Sequence, residues 1–259
     1  MRIALVQMDI AWENKILNLE RAENLLLKDK PEADLVVFPE MFTTGFTMQP
    51  ATLAEPVDGV TVSRLQKLSD ETGYALAGSV ITEDQGLYYN RLYFFEKGCD
   101  PRWYDKAHLF SPGGEELVYR RGNSHLIVSF MGVNISFQIC YDLRFPVWFR
   151  NRHNEYDLMI NVANWPSARS NVWKSLIVAR AIENQCYMAG VNRVGEDLHG
   201  NIHQGDSMVV SPRGEVIKHL SGPVEGIVTC DIDIEALKMF REKFPVWRDQ
   251  DSFILGHDL

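Results

Sequence analysis

The apolar positions of this chain fall into short blocks that recur from one end to the other. An apolar run from Arg2 to Met8 is followed by Leu19, Ala22, Leu25 and Leu26 at helical spacing within Asn18 to Leu27, and then by a second run, Leu35 to Phe38. This reads as a strand-helix-strand unit of the length a βαβ crossover needs. A helix over Thr61 to Thr72 comes next, then strands from Tyr74 to Ile81 and from Tyr88 to Glu96 joined by the polar turn Glu83 to Gly86. A similar pattern begins again at Val133 to Ile139. It continues with a short helix around Pro146 to Asn151, a strand at Asp157 to Val162, and a helix from Val172 to Glu183 with Asn171 as its cap. Further strands are expected at Met188 to Asn192, Ser207 to Ser211 and Gly226 to Asp231, with a hairpin loop over Glu196 to Gly205 and a loop-rich tail from Phe244.

Asp34-Leu35-Val36-Val37 and Asp157-Leu158-Met159-Ile160 resemble each other, which gives the chain a weak internal two-fold repeat. No Pro/Gly/Ser-rich linker divides the halves, so one domain over 1–259 is expected.

Composition narrows the function. The 259 residues are 46% hydrophobic and 24% charged, an ordinary globular balance that excludes disordered and collagen-like chains. The formal net charge of −9 repels phosphate backbones and anionic lipid, and no local basic patch offsets it. Nucleic acid and membrane partners are therefore not expected. Met1 to Met8 has neither the basic leader nor the long apolar run of a signal peptide, so a cytoplasmic location is the default expectation.

Cys99, Cys140, Cys186 and Cys230 lie more than forty residues apart, a spacing that suits free thiols better than zinc ligands, redox pairs or a disulfide framework. Of the seven histidines only His199 and His203 are close, in a Gly-containing loop that makes a poor metal site. There is no phosphate-binding or dinucleotide-binding glycine motif. No cofactor and no metal is expected.

Three reactive residue types stand where strands end, which is where α/β sheets open their crevices. Glu40 follows Leu35 to Phe38; on local pattern it is a reactive acid or a solvated loop carboxylate. Lys106 stands in Tyr104-Asp105-Lys106-Ala107-His108-Leu109-Phe110, and spacing alone would leave it a surface lysine. Cys140 closes the strand Val133 to Ile139 and faces the polar segment Tyr141-Asp142-Leu143-Arg144, as a reactive thiol or a buried structural one.

Taken in order, Phe38-Pro39-Glu40 with Gly45-Phe46, Tyr104-Lys106-His108-Leu109-Phe110 and Cys140-Tyr141-Asp142-Leu143-Arg144-Phe145-Pro146 resemble the nitrilase (carbon-nitrogen hydrolase) superfamily. Ala179 to Gln185, Asn192-Arg193 and Gly205-Asp206-Ser207 extend the resemblance over essentially the whole chain. It implies a four-layer α-β-β-α sandwich with two central sheets, and a homodimer or higher homo-oligomer associating through the helix Val172 to Glu183 and the one after Cys140.

The resemblance also implies roles: Cys140 as nucleophile, Glu40 as general base, Lys106 as electrostatic stabiliser, and the Tyr141 N–H as an oxyanion donor. A thiol is mostly protonated at neutral pH, so a base to take its proton and a cation to favour the thiolate fit the chemistry. A second glutamate after the lysine is expected to anchor it. Glu115 is the candidate, with Glu116 beside it. Phe42, Phe110 and Trp165 are candidate pocket walls. Arg144 is either a bidentate partner for a substrate carboxylate or half of an ion pair with Asp142.

The form Cys-Tyr-Asp-Leu-Arg-Phe-Pro, with Val162 to Pro166 and Arg241 to Trp247, looks most like the ω-amidase branch. That implies hydrolysis of the terminal amide of 2-oxoglutaramate or 2-oxosuccinamate to the 2-oxo acid and ammonia, rather than nitrile hydrolysis. The alternatives are an amidase for deaminated glutathione, an N-carbamoyl amino-acid hydrolase, and a non-catalytic binding protein of the same fold. A Cys-His site using His108 is a rival arrangement of the same residues. Any carboxylate substrate of so acidic a protein needs a local cation, and Arg144, Arg169 and Lys106 are the options.

Overall fold

A computed structural model of the protein describes residues 1–255. The first sheet is built from β1 (Arg2–Gln7), β2 (Leu35–Val37), β3 (Glu55–Pro56), β4 (Ala75–Asp84), β5 (Leu87–Phe95) and β6 (Arg102–Asp105). The second takes β7 (Ile127–Phe130), β8 (Val133–Ile139), β9 (Leu158–Ala163) and β10 (Tyr187–Asn192). A separate hairpin, β11 (Val194–Glu196) and β12 (Ile202–Gln204), follows, then β13 (Ser207–Val210) and β14 (Val216–Leu220) rejoin the second sheet. The last strand, β15 (Gly226–Asp231), returns to the first sheet and lies antiparallel to β1, so the end of the chain closes on its beginning.

Both sheets mix parallel and antiparallel pairs. In the first, β1, β2 and β4 are parallel; in the second, β8, β9 and β10 are parallel with β9 in the middle. These matching trios carry the repeat seen between Leu35–Val37 and Leu158–Ala163. Covering on both faces is also why the apolar runs of β1 and β2 are continuous, since a strand covered on both faces needs apolar side chains on both, whereas β8 alternates with Asn134, Ser136 and Gln138. Along β1, Ile3 and Leu5 enter the core between the sheets while Ala4 and Val6 enter the core under the outer helices. Phe94 of β5 reaches across to Phe137 of β8 with ring centroids 5.7 Å apart, a contact worth about 0.5–1.5 kcal/mol beyond the area it buries.

The helices are α1 (Lys15–Asp29), α2 (Pro50–Leu53), α3 (Val60–Thr72), α4 (Glu115–Val118), α5 (Ser170–Asn184) and α6 (Ile234–Lys243). Leu19, Ala22 and Leu26 of α1 and Val62, Leu65 and Leu68 of α3 cover the outside of the first sheet. Trp173 and Ile177 of α5 cover the second, so close to Gly190 of β10 that an added Cβ there would lie 2.3 Å from Ile177 Cδ1. The layers therefore run α-β-β-α, as the resemblance implied.

Several expectations need correcting. No helix forms over Pro146 to Asn151; the segment is a series of turns. Asn151 spends its groups on tertiary partners, its side chain donating to the carbonyls of Tyr156 (2.9 Å) and Asn184 (3.0 Å) and its N–H to Asn184 Oδ1 (2.8 Å). Asn171 does not cap α5. The helix begins one residue earlier, directly after a 3₁₀ turn at Ser167–Arg169, and no side chain caps it. The hairpin loop expected over Glu196 to Gly205 is present, closed by β11 and β12. A helix that the sequence reading leaves unassigned, α6, is capped by Asp233, whose Oδ1 accepts from the Ala236 N–H at 2.9 Å, and its Arg241 reaches Asp157 at 2.7 Å.

Candidate active site

Glu40, Lys106 and Cys140 each sit just beyond a strand, where the backbone is released from the ladder but still held by it. After β2, Phe38 keeps one more bond to the Ala77 carbonyl (2.7 Å), and Met41 takes a left-handed φ of +41° with its N–H on Ser79 Oγ at 2.8 Å. Glu40 lies between them and is fully buried. After β6, the Lys106 N–H bonds the Asn90 carbonyl at 3.0 Å, and its side chain too is fully buried. After β8, Cys140 adopts φ +43° and opens a 3₁₀ turn, Cys140–Arg144. A left-handed conformation costs a non-glycine residue about 1–2 kcal/mol, so the surroundings must impose it.

Asp142 does so. Its Oδ2 accepts from the Ile139 N–H and from the Tyr104 hydroxyl, and its Oδ1 accepts from the His108 N–H, each at 2.9 Å. His108 Nδ1 lies 2.9 Å from the same Oδ1, and the ring stacks on Phe145 at 3.9 Å. Asp142 is thus the structural residue of the elbow, as one of the two readings held, but its partners are Tyr104, His108 and the strand end rather than Arg144. His108 is accordingly bonded to Asp142, which leaves the Cys-His arrangement without support.

Lys106 Nζ stands between two carboxylates, 2.8 Å from Glu40 Oε1 and 2.8 Å from Glu115 Oε2. Glu115 also accepts from the Phe110 N–H at 2.6 Å. Its neighbour Glu116 is exposed. Asn90 joins the carboxylates, its Nδ2 donating to Glu40 Oε1 (2.8 Å) and Glu115 Oε1 (3.2 Å), while the Asn164 N–H donates to Glu40 Oε2 at 2.9 Å. Neither asparagine is among the sequence candidates. Asn90 did leave a signal, as a polar residue inside a strand.

Burial would by itself lower the pKa of the Lys106 ammonium, but the charges of Glu115 and Glu40 outweigh it and hold the value above the ordinary one. Glu115 is raised by its burial, opposed by Lys106 and lifted again by Glu40. The Cys140 thiol is pushed well up, first by burial and then by the charge of Glu40, with Lys106 pulling the other way without cancelling them. Burial and the charge of Glu40 thus favour the neutral thiol, against the pull of Lys106.

Glu40, Lys106 and Cys140 face a cavity of about 380 Å³ whose wall includes Tyr141, Phe110, Arg144 and Trp165. Arg144 lies over the Trp165 ring at 5.3 Å and Arg169 over Phe110 at 5.6 Å, both guanidiniums reaching the cavity. Phe42 does not. It is fully buried, stacked on Phe38 at 4.8 Å in the outer core, and the aromatic wall on that loop is Phe46, beyond the turn at Gly45.

An acid, an ammonium and a thiol thus converge on one cavity from three strand ends of a four-layer sandwich. The carbon-nitrogen hydrolase family model matches residues 2–242, and the chain belongs to that family. It is similar to the omega-amidase YafV of Escherichia coli K12, 41% identical over 255 residues and 98% of each chain. It is 36% identical to the 2-oxoglutaramate amidase of Bacillus subtilis over 95% of this chain and 96% of that one. Among solved structures, XC1258 of Xanthomonas campestris, a CN-hydrolase superfamily protein with an arsenic adduct in its active site, superposes with a TM-score of 0.96 at 40% identity over 99% of both chains.

Proposed function

We propose that this chain is a cytoplasmic amidase that hydrolyses the terminal amide of a small 2-oxo dicarboxylic acid monoamide, 2-oxoglutaramate or 2-oxosuccinamate, to the 2-oxo acid and ammonia. The observation that carries the reading is the clamped lysine, Nζ at 2.8 Å from both Glu40 and Glu115, beside Cys140 in a cavity that also holds Arg144 and Arg169. Relatives bearing ω-amidase and 2-oxoglutaramate amidase names support the substrate class.

The neutral thiol sets the order of events. Cys140 Sγ attacks the amide carbon as Glu40 takes its proton, so that no free thiolate accumulates. The carbonyl oxygen gains the negative charge, held by the Lys106 ammonium and by the Tyr141 N–H in the first turn after the elbow, where backbone donors have no helical partner. Collapse breaks the C–N bond, the nitrogen takes the proton from Glu40, and ammonia leaves a thioester. Glu40 then accepts a proton from water, the hydroxide adds to the thioester, and collapse breaks the C–S bond. The sulfur recovers its proton from Glu40, which restores the resting enzyme. Glu115 holds Lys106 in place throughout, since both its oxygens lie on the ammonium, at 3.0 and 2.8 Å.

Lys106 serves its two carboxylates and the oxyanion, so the substrate carboxylate falls to Arg144 and Arg169, which have the planar fork such a group suits. The same reading carries a homodimer joined through α5 and the turn segment beside it, where Ile182 and Val147 are more than half exposed, at 51% and 54%. A monomer mass at micromolar concentration would count against the dimer. Ammonia release from 2-oxoglutaramate, 2-oxosuccinamate, an N-carbamoyl amino acid and a plain aliphatic amide, with Cys140→Ala as control, tests the activity. Turnover of the 2-oxo amides no better than that of the aliphatic amide would overturn the substrate assignment.

A further inference from the structure

The wall of the same cavity includes a histidine that the chemistry above leaves unused. His203 of β12 is only 2% exposed, lines the cavity, and has a buried Nδ1 with no hydrogen-bond partner. A buried polar atom left unpaired calls for a partner that arrives with the ligand or with water. Burial, and after it the charge of Arg193, bring the ring's pKa down to about 4, so the imidazole is uncharged at neutral pH.

The ring is presented by a braced element. His203 pairs with Gly195 across the hairpin, and Gly195 has φ +89° with so little room that a Cβ would lie 2.0 Å from Asp9 Oδ1. Arg193, fully buried, fixes the base of the hairpin through Asp9 Oδ1 at 2.9 Å and the Ile10 carbonyl at 3.2 Å. The Ser167 hydroxyl donates to the Ile202 carbonyl at 2.7 Å, which ties β12 to the turn that carries Arg169. The histidine and that arginine therefore keep a set relation to each other.

The division of charge indicates what each group can recognise. A carboxylate calls for the guanidiniums; a neutral imidazole cannot neutralise it, but its N–H suits an uncharged carbonyl oxygen. We propose that His203 is a specificity-determining residue that donates a hydrogen bond to the 2-oxo oxygen of the substrate, next to the carboxylate held by Arg144 and Arg169. The proposal rests on the amidase reading above and adds to it the feature that separates a 2-oxo amide from the same amide without the oxo group.

The test compares kcat/KM for 2-oxoglutaramate and for glutaramate, which has the same length and carboxylate but no 2-oxo group, in the wild type, His203→Phe and His203→Gln. His203→Phe should lose roughly tenfold on 2-oxoglutaramate and stay within about twofold on glutaramate, while His203→Gln, which keeps a donor, recovers most of the loss. Stoichiometric labelling of Cys140 by a haloacetamide reports that each variant holds its site. Equal losses on both substrates, or no loss on either, would overturn the assignment of His203 and leave the amidase reading standing. A wild type that releases ammonia from glutaramate as well as from 2-oxoglutaramate overturns it too, and one that releases ammonia from no amide removes the amidase reading and this proposal together.

Discussion

Asp142 and His108 are joined twice, the carboxylate Oδ1 lying 2.9 Å from both the backbone nitrogen and the ring Nδ1 of the histidine. Since the other oxygen holds the N–H of Ile139, this carboxylate sets the distance between the lysine loop and the cysteine elbow. In Asp142→Asn the side chain keeps one acceptor oxygen and brings an N–H₂ group to face donors. Expected is a fall in kcat of roughly 10–100-fold with KM little changed, the signature of misplaced reacting groups. Steady-state kinetics checks it, with circular dichroism to show that the fold persists.

Glu40 has two effects on Cys140 that a single substitution separates. As the proposed base it is needed for turnover, yet its charge raises the thiol pKa. In Glu40→Gln the midpoint of Cys140 alkylation against pH should move down, so the thiol reacts faster with iodoacetamide near pH 8 while ammonia release falls by about 10²-fold or more. An upward shift of the alkylation midpoint would contradict this account.

The two adjacent acids after Gly114 should behave oppositely. Glu115→Gln removes one of the carboxylates on Lys106 Nζ and should cut kcat by roughly tenfold or more; Glu116→Gln alters an exposed side chain and should stay within about twofold. Parallel rates for the pair on one substrate decide it.

Away from the cavity, the Asp206 carboxylate accepts from Gln204 Nε2 (2.6 Å) and Ser170 Oγ (2.7 Å) and lies 2.9 Å from His219 Nε2. Burial alone would raise its pKa, but those bonds and the charge of Lys174 carry it below the usual 3.8. A depressed carboxylate contributes stability that is present above its unfolded pKa and is lost as pH falls through the folded value. Asp206→Asn should therefore cost about 1.5–3 kcal/mol at pH 7 and progressively less below about pH 4. Thermal unfolding of both proteins from pH 7 to pH 2.5 measures this.

The sequence was most informative where one physical cause governed the pattern. Strands buried on both faces, such as Leu35–Val37 and Leu158–Ala163, are mostly apolar, and Glu40 stands beyond the first of them. It was least informative where long-range partners decide. Asn151 gives up a helix to bond Asn184, a choice invisible in the local string. Phe42 and Phe46 share a loop, and only the turn at Gly45 determines which ring faces the cavity. Asn164 stood inside a quoted motif, but its backbone N–H on Glu40 depends on a pairing of the two sheets across 124 residues.

The charges around the cavity fall into two groups by their access to water. Glu40, Lys106 and Glu115 are sealed, all with fully buried side chains, while Arg144 and Arg169 stand at the exposed rim. Dissolved ions screen the second group and not the first, because the Debye length shrinks from about 10 Å at 0.1 M salt to about 3 Å at 1 M only where solvent reaches. Ionic strength thus becomes a way to dissect turnover: added sodium chloride should weaken capture of the anionic substrate and leave the bond-breaking steps at their low-salt rate.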